Sequence, residues 1–472
     1  MIPSAERVPL RIKLFHGLGS VAYGVKDNGF STFLLIFYNQ VVGLDAGLVS
    51  SALMLVLIVD AFADPVIGHL SDRTYTRWGR RLPWLYIAPV PLAIAWLFLW
   101  SPPRDLDMVF YYLVAVGIVV RTLLSACEVP SISLIPELTR DYDERTGLMR
   151  FRYLFGWAGG LLVAVLAYTF FLVPDATHKV GQLNPNGYWL YGVAGACMIL
   201  VCVIISALGQ HKRVAHWPAV KPEKTTIVQA FREIRESLSH PAAIILLSAA
   251  AIAYTSQGVT FSIANYLYLF VWEYPAWAFK VYPFMLFVSV VVSFFLVVPL
   301  SRRLGKRKTA VISGCLGASF WLTPFILRLL GFWPEVGTNT STNMVFAFGF
   351  CANVFSVIVM ICAQSMIADI VEASELQTGR RTEGVFSAGW LFTQKCATGL
   401  GIFITGIIVS WSGFPAKAVP GQVEPGVITH LTIAYCVVVL LAVIASTTIF
   451  SRFPIDRADH EERLRKLADS GA

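Results

Sequence analysis

Twelve long apolar runs dominate this chain of 472 residues. An α-helix needs about 20 mostly apolar residues to cross the hydrocarbon core of a bilayer. Charged residues make up only 14% of the chain, whereas soluble proteins contain about a quarter. The chain is therefore predicted to be an all-α integral membrane protein with 12 transmembrane helices. The runs are 14–43, 46–70, 82–101, 107–137, 150–173, 187–208, 241–271, 278–300, 309–331, 343–370, 384–411 and 429–450.

Basic residues alternate between the two sides of the predicted membrane. Of the 37 Lys and Arg residues, 29 belong to one predicted side of the membrane, in the terminal segments and alternate loops, and five belong to the opposite side, in loops or near run ends. The remaining three, Lys26, Arg121 and Lys395, lie deep inside runs. Because cytoplasmic segments carry the excess of Lys and Arg, both termini are predicted to be cytoplasmic, in the plasma or inner membrane. The formal charge of +8 reflects this topology and does not indicate nucleic-acid binding.

The longest basic loop divides the runs six and six. This division predicts an N-terminal six-helix bundle at 1–208, a cytoplasmic central loop at 209–240, a C-terminal six-helix bundle at 241–450 and a cytoplasmic tail at 451–472.

The two predicted bundles also resemble each other in sequence. Residues 133–138 (SLIPEL) correspond to 365–370 (SMIADI), and residues 153–160 (YLFGWAGG) correspond to 390–399 (WLFTQKCATG). Two parallel six-helix repeats are the organisation of major-facilitator transporters, whose substrate site lies near the bilayer midplane. The chain is therefore predicted to have this fold.

Charged side chains inside the apolar runs are costly, so each needs a partner, a water-filled cavity or a function. Asp60 and Asp64 are the most informative, because an i, i+4 spacing places both on one helical face. Two carboxylates so close repel each other and favour binding of a proton or a cation. Alternatively, these charges form structural ion pairs, or Asp64 caps a helix break before Pro65. The seven charged residues are Lys26, Asp27, Asp60, Asp64, Arg121, Glu128 and Lys395.

The fourth run carries a polar stripe. Arg121, Ser125 and Glu128 recur at i, i+4 and i+7 and therefore share one helical face. Ser125 can add a hydroxyl ligand to a cation site, and Glu128 can accept hydrogen bonds from a substrate.

Residues 59–84 (VDAFADPVIGHLSDRTYTRWGRRLPW) resemble the corresponding motif of the glycoside–pentoside–hexuronide:cation symporters, the melibiose-permease family. The match continues through residues 127–138 and 368–384 and covers nearly the whole chain. The resemblance implies a secondary active transporter that carries a sugar or glycoside together with Na⁺ or H⁺. It implies no further cofactor, no enzymatic activity and no required oligomer.

The resemblance also implies roles for particular residues. Asp60 and Asp64 correspond to the family's cation ligands, for Na⁺, Li⁺ or H⁺, and Ser125 to the hydroxyl residue that assists them. Lys395 corresponds to a lysine near the cation site and is expected to couple cargo and cation. The resemblance makes Asp27, Glu128 and Arg152 candidate substrate-binding residues. Arg121 and Trp390 are added to these candidates, although the family motif does not supply them.

Three positions of the chain depart from the family pattern. Glu128 replaces an aspartate, Ile132 replaces a sugar-stacking tryptophan, and Arg121 is an additional buried charge. Trp390, near Lys395, can supply an aromatic surface instead. An amphipathic or anionic solute such as a lysolipid is therefore an alternative cargo, and a non-transporting membrane sensor is a further alternative.

The basic loop after the second run is expected to act as a cytoplasmic gate. Its charges can pair with acidic helix ends such as Glu137 or Asp369 in one conformation and release them in another. Alternatively, its arginines only set the topology. The predicted gating residues in this loop are Asp72, Arg73, Arg80 and Arg81.

Overall fold

The computed structural model describes residues 8–74, 76–139, 141–176, 178–215, 241–378 and 383–454. These ranges consist of helices and the loops between them, with one isolated bridge between Thr76 and Gly79. Contacts between Cα atoms divide the chain into two compact units, Met1–Ile227 and Val228–Ala472. The predicted all-α architecture is confirmed. Most of the predicted central loop and tail lies outside the described residues.

The first unit contains ten α-helices within the described residues. They are α1 (Leu10–Leu18), α2 (Val21–Asn28), α3 (Leu34–Ile36), α4 (Ala46–Arg73), α5 (Leu82–Ile87), α6 (Pro89–Leu99), α7 (Leu106–Ser133), α8 (Ile135–Leu138), α9 (Tyr142–Leu166) and α10 (Pro185–Val214). Wider π-helical turns occupy Gly29–Phe33, Phe37–Val42 and Ala167–Phe171, and a 3₁₀ turn occupies Gly181–Leu183.

The second unit contains six described α-helices. They are α11 (Pro241–Tyr266), α12 (Ala276–Leu304), α13 (Lys306–Leu329), α14 (Asn339–Thr378), α15 (Glu383–Trp411) and α16 (Pro425–Ser451). A π-helical turn at Leu267–Val271 continues α11.

Ten helices in the described part of the chain are long and apolar enough to cross a membrane. They coincide with ten of the twelve predicted runs. The run 14–43 is divided among α1, α2, α3 and two π-helical turns, and the run 82–101 is divided between α5 and α6. In the second case Pro89 begins α6, and proline has no N–H to continue the hydrogen-bond ladder of α5.

Helices α4 and α7 pack side by side in one register that positions the polar residues. A Cβ atom built on Gly117 would lie 2.8 Å from Val56, and one built on Gly68 would lie 3.6 Å from Val129. Both pairs are 61 residues apart, so the helices run parallel with a constant offset. The same offset pairs Asp60 with Arg121 and places Asp64 level with Ser125.

Close crossings of glycine-rich helices occur in both units. In the first unit, α2 and α9 approach so closely that a Cβ atom on Gly24 would overlap the carbonyl oxygen of Gly156. In the second unit, a Cβ atom on Gly258 of α11 would lie 2.6 Å from the carbonyl oxygen of Thr398 on α15. Equivalent helices of the two predicted repeats are therefore joined by the same kind of contact.

Candidate functional site

Asp60 lies at the centre of a buried polar contact between α4 and α7. Its side chain is fully buried, and its Oδ2 atom lies 2.5 Å from Nη2 of Arg121. Ser125 donates a hydrogen bond of 2.8 Å to the other oxygen, Oδ1. Arg121 and Ser125 are one turn apart on α7, so a single helical face provides a donor to each carboxylate oxygen.

Arg121 compensates the charge of Asp60. This contact is an ion pair of the kind that the sequence analysis gave as an alternative for the charged residues inside the runs. An opposite pair at about 4 Å is worth about 4 kcal/mol at an effective dielectric constant of 20, which helps offset the cost of burying both charges. The guanidinium also lies over the ring of Phe30, with its carbon 5.1 Å from the ring centroid.

Asp64 follows one turn after Asp60 and is half-buried. The alternative in which Asp64 caps a helix break is wrong, because α4 continues through Pro65 to Arg73. In the described residues, no three His, Cys, Asp or Glu side chains are grouped to hold a metal ion. Whether Asp60, Asp64 and Ser125 bind a cation stays a prediction.

Glu128, the last polar residue of the predicted α7 stripe, lies in a second charged cluster. Its Oε2 atom lies 3.6 Å from Nζ of Lys26, and the same ammonium lies 2.8 Å from Oδ1 of Asp27. Lys26 is buried, whereas the side chain of Glu128 is 24% exposed and that of Asp27 is 69% exposed. Lys26 thus joins the two carboxylates that were predicted to bind substrate.

Arg152 of α9 completes this cluster. Its Nη2 atom lies 3.8 Å from Oε1 of Glu128, and its Nη1 atom donates a hydrogen bond of 3.0 Å to Oγ of Ser131. The guanidinium carbon lies 4.6 Å from the centre of the Tyr23 ring. The close crossing of α2 and α9 allows these contacts, because it brings the turn that carries Tyr23 and Lys26 against the part of α9 that carries Arg152.

Arg121 was predicted to bind substrate together with Asp27 and Glu128, but the structure engages its guanidinium directly with Asp60. Glu128 follows Arg121 by two turns on the same face of α7. Arg121 belongs to the fully buried cluster around Asp60, and Glu128 belongs to the partly exposed cluster with Lys26.

Several members of these clusters are not identifiable from sequence spacing. The contact of Lys26 with Glu128, the hydrogen bond of Arg152 to Ser131 and the ring of Phe30 under Arg121 all join different helices. Of these residues, only Ser131 could have been recognised from the sequence, because it follows Glu128 by one turn and so lies on the same face of α7.

Trp390 and Lys395 belong to α15 of the second unit. Trp390 is buried and packs edge-on against Tyr254, with ring centroids 5.6 Å apart. Lys395 is half-buried. The aromatic role of Trp390 and the coupling role of Lys395 stay predictions.

The predicted gate contains one observed ion-pair cluster. Arg81 donates a hydrogen bond of 2.9 Å to Oδ1 of Asp72, and its Nε atom lies 3.4 Å from Oε1 of Glu137. Arg73 is exposed and Arg80 is half-buried. The side chain of Asp369 lies outside the described residues, and gating itself stays a prediction.

Comparisons with known proteins agree with this architecture. The family described as MFS/sugar transport protein matches residues 15–457. The isoprimeverose transporter of Lactiplantibacillus pentosus is 24% identical over 88% of this chain and 82% of its own length. Sodium-dependent lysophosphatidylcholine symporter 1 of Gallus gallus is 23% identical over 99% and 90%, respectively. The inward-open xylose transporter XylE of E. coli superposes with a TM-score of 0.62 at 15% identity, over 97% of this chain and 99% of that one.

Proposed function

Because the chain belongs to the MFS/sugar transport protein family, we propose that it carries a sugar or glycoside across the membrane together with a monovalent cation. Family membership makes the chain a multi-pass membrane transporter with the major-facilitator fold, and not an enzyme. The cargo, the cation, the cytoplasmic termini and the location in the plasma or inner membrane are parts of the proposal.

The cluster around Glu128 carries the proposal for the cargo. Glu128 stands between the ammonium of Lys26 and the guanidinium of Arg152, and Asp27 lies beside Lys26. A sugar hydroxyl both donates and accepts hydrogen bonds, so neighbouring carboxylates and cationic donors suit it. The exposed fractions of Asp27 and Glu128 leave carboxylate surface that a ligand can reach.

The proposed cation site shares α7 with the proposed cargo site. Ser125 bonds to Asp60, and Glu128 follows Ser125 by one turn on the same helix. A charge change at Asp60 therefore acts on the helix that presents Glu128. We assign Asp60, Asp64 and Ser125 to the cation and Lys395 to coupling, as the family resemblance implies.

In this proposal Asp27, Glu128 and Arg152 contribute charged groups to cargo recognition. Trp390 keeps the aromatic role expected from the sequence. The Asp72–Arg81–Glu137 cluster is assigned to the gate.

A lysolipid-like solute is the second candidate cargo, because the avian relative named above transports lysophosphatidylcholine. Arg121 was the residue expected to bind its anionic head group. Since Arg121 lies against Asp60, the structure adds no contact in favour of that role. A sensor is not supported, because the chain belongs to a transporter family.

Uptake into proteoliposomes tests the proposal. Purified protein should accumulate a member of a panel of sugars, glycosides and uronides when a proton or Na⁺ gradient is imposed, and lysolipids form the competing arm. Glu128→Gln should reduce sugar uptake about 10- to 100-fold, the equivalent of a lost charged hydrogen bond. Asp45→Asn is the matched control, since Asp45 only caps α4 and asparagine caps equally well.

Sugar uptake that survives in Glu128→Gln at the wild-type rate would refute the assignment of this residue. Gradient-driven uptake of lysolipids alone would refute the sugar proposal.

A further inference from the structure

The Asp60 carboxylate is already paired with a positive charge from the protein itself, the guanidinium of Arg121. Nη2 of Arg121 lies against Oδ2, and the Ser125 hydroxyl donates to Oδ1. Both oxygens that would face a metal ion are therefore engaged by donors from α7. A metal ion entering here would have to displace a hydrogen-bond donor and approach a guanidinium.

The guanidinium of Arg121 cannot leave by losing its charge, because arginine stays protonated in proteins. The positive charge beside Asp60 therefore persists as long as the Arg121 side chain stays in place.

The position of Arg121 is set by the packing of three elements. The constant register of α4 and α7 places it opposite Asp60, and the Phe30 ring of the π-helical turn Gly29–Phe33 lies under its guanidinium. The side chain is 4% exposed. Moving this charge away from Asp60 would leave a buried carboxylate without its closest counter-charge, which is strongly unfavourable.

We propose that Arg121 occupies the place of a metal ion at Asp60, so that Na⁺ or Li⁺ does not bind this carboxylate. The inference rests on the proposed function, in which the Asp60–Asp64 face carries the coupling ion.

Thermal unfolding of the purified protein, in matched NaCl, LiCl and choline chloride, tests the inference without a sugar. The wild type should melt at the same temperature in all three salts. Arg121→Ser opens the carboxylate and supplies a hydroxyl, so NaCl or LiCl should raise its melting temperature by about 5 °C relative to choline chloride. Arg121→Lys, which keeps a positive charge, should remain insensitive to the metal ion. The double variant Asp60→Asn, Arg121→Ser should lose the response.

Two results overturn the inference: a melting temperature of the wild type that rises with Na⁺ or Li⁺, or an Arg121→Ser protein that folds and ignores both ions. If Arg121→Ser does not fold, the test uses the wild type alone. Its melting temperature in the three salts and its sugar uptake in Na⁺ and in choline are then the two measurements. Sugar uptake by the wild type should be unchanged when Na⁺ replaces choline. An absence of sugar uptake would count against the proposed function, whereas the melting experiment would still report on Arg121.

Discussion

Asp60→Asn should destabilise the first unit far more than the loss of one hydrogen bond would. The variant keeps the size of the side chain and removes its charge. Arg121, whose side chain is 4% exposed, then remains buried without its closest anionic partner. Because arginine does not lose its proton, the folded state of the variant keeps a buried charge without its closest counter-charge. The free energy of unfolding is lowered accordingly.

The structure allows the size of this effect to be worked out. At a charge separation of about 4 Å and an effective dielectric constant of 20, the attraction lost is about 4 kcal/mol. Removal of one partner from a buried ion pair costs about 3–5 kcal/mol. Replacement of both partners by neutral groups, in Asp60→Asn with Arg121→Met, should cost much less, because no uncompensated charge remains.

A double-mutant cycle measures this prediction. The free energy of unfolding is obtained in mixed micelles by titration with a denaturing detergent, for the wild type, both single variants and the double variant. We expect a coupling energy of about 2–4 kcal/mol between the two positions. Asp27→Asn is the comparison, since its side chain is 69% exposed and should cost less than about 1 kcal/mol.

Additive effects of the two single variants would refute the reasoning. So would an Asp60→Asn protein that is as stable as Asp27→Asn, because the contact with Arg121 would then not stabilise the fold.

Two further predictions concern packing and pH. Gly24→Ala should lower the melting temperature strongly, because its Cβ atom would overlap a backbone carbonyl of α9, whereas Gly68→Ala, whose nearest neighbour is 3.6 Å away, should have little effect. Glu144 accepts hydrogen bonds from the side chain of Lys13 and the backbone of Val8, and the bond to Lys13 is the main cause that lowers its pKa. A carboxyl group whose pKa is lowered in the folded protein stabilises the fold at pH values above its usual pKa. Protection of the N-terminal segment against proteolysis should therefore be present at neutral pH and be lost as the pH falls through the lowered pKa of Glu144. Glu144→Gln should show reduced protection at neutral pH; full protection there would contradict the assignment.

Much of the architecture follows from local sequence. A run of about 20 apolar residues has few ways to satisfy its backbone in lipid except as a helix, so ten predicted runs coincide with helices in the described residues. The placement of Asp60 and Asp64 on one face, and of Arg121, Ser125 and Glu128 on another, is equally local. It depends only on the helical repeat of 3.6 residues.

Partners that lie on different helices are not contained in such periodicities. Asp60 and Arg121 are 61 residues apart, and Arg152 reaches Glu128 from a third helix. Which buried carboxylate meets which cation depends on helix register and on close glycine contacts such as that of Gly117 with Val56. The sequence therefore determined that charges lie inside the membrane. Only the tertiary structure decided their pairing, because a packed interface sets the distances that Coulomb energies depend on.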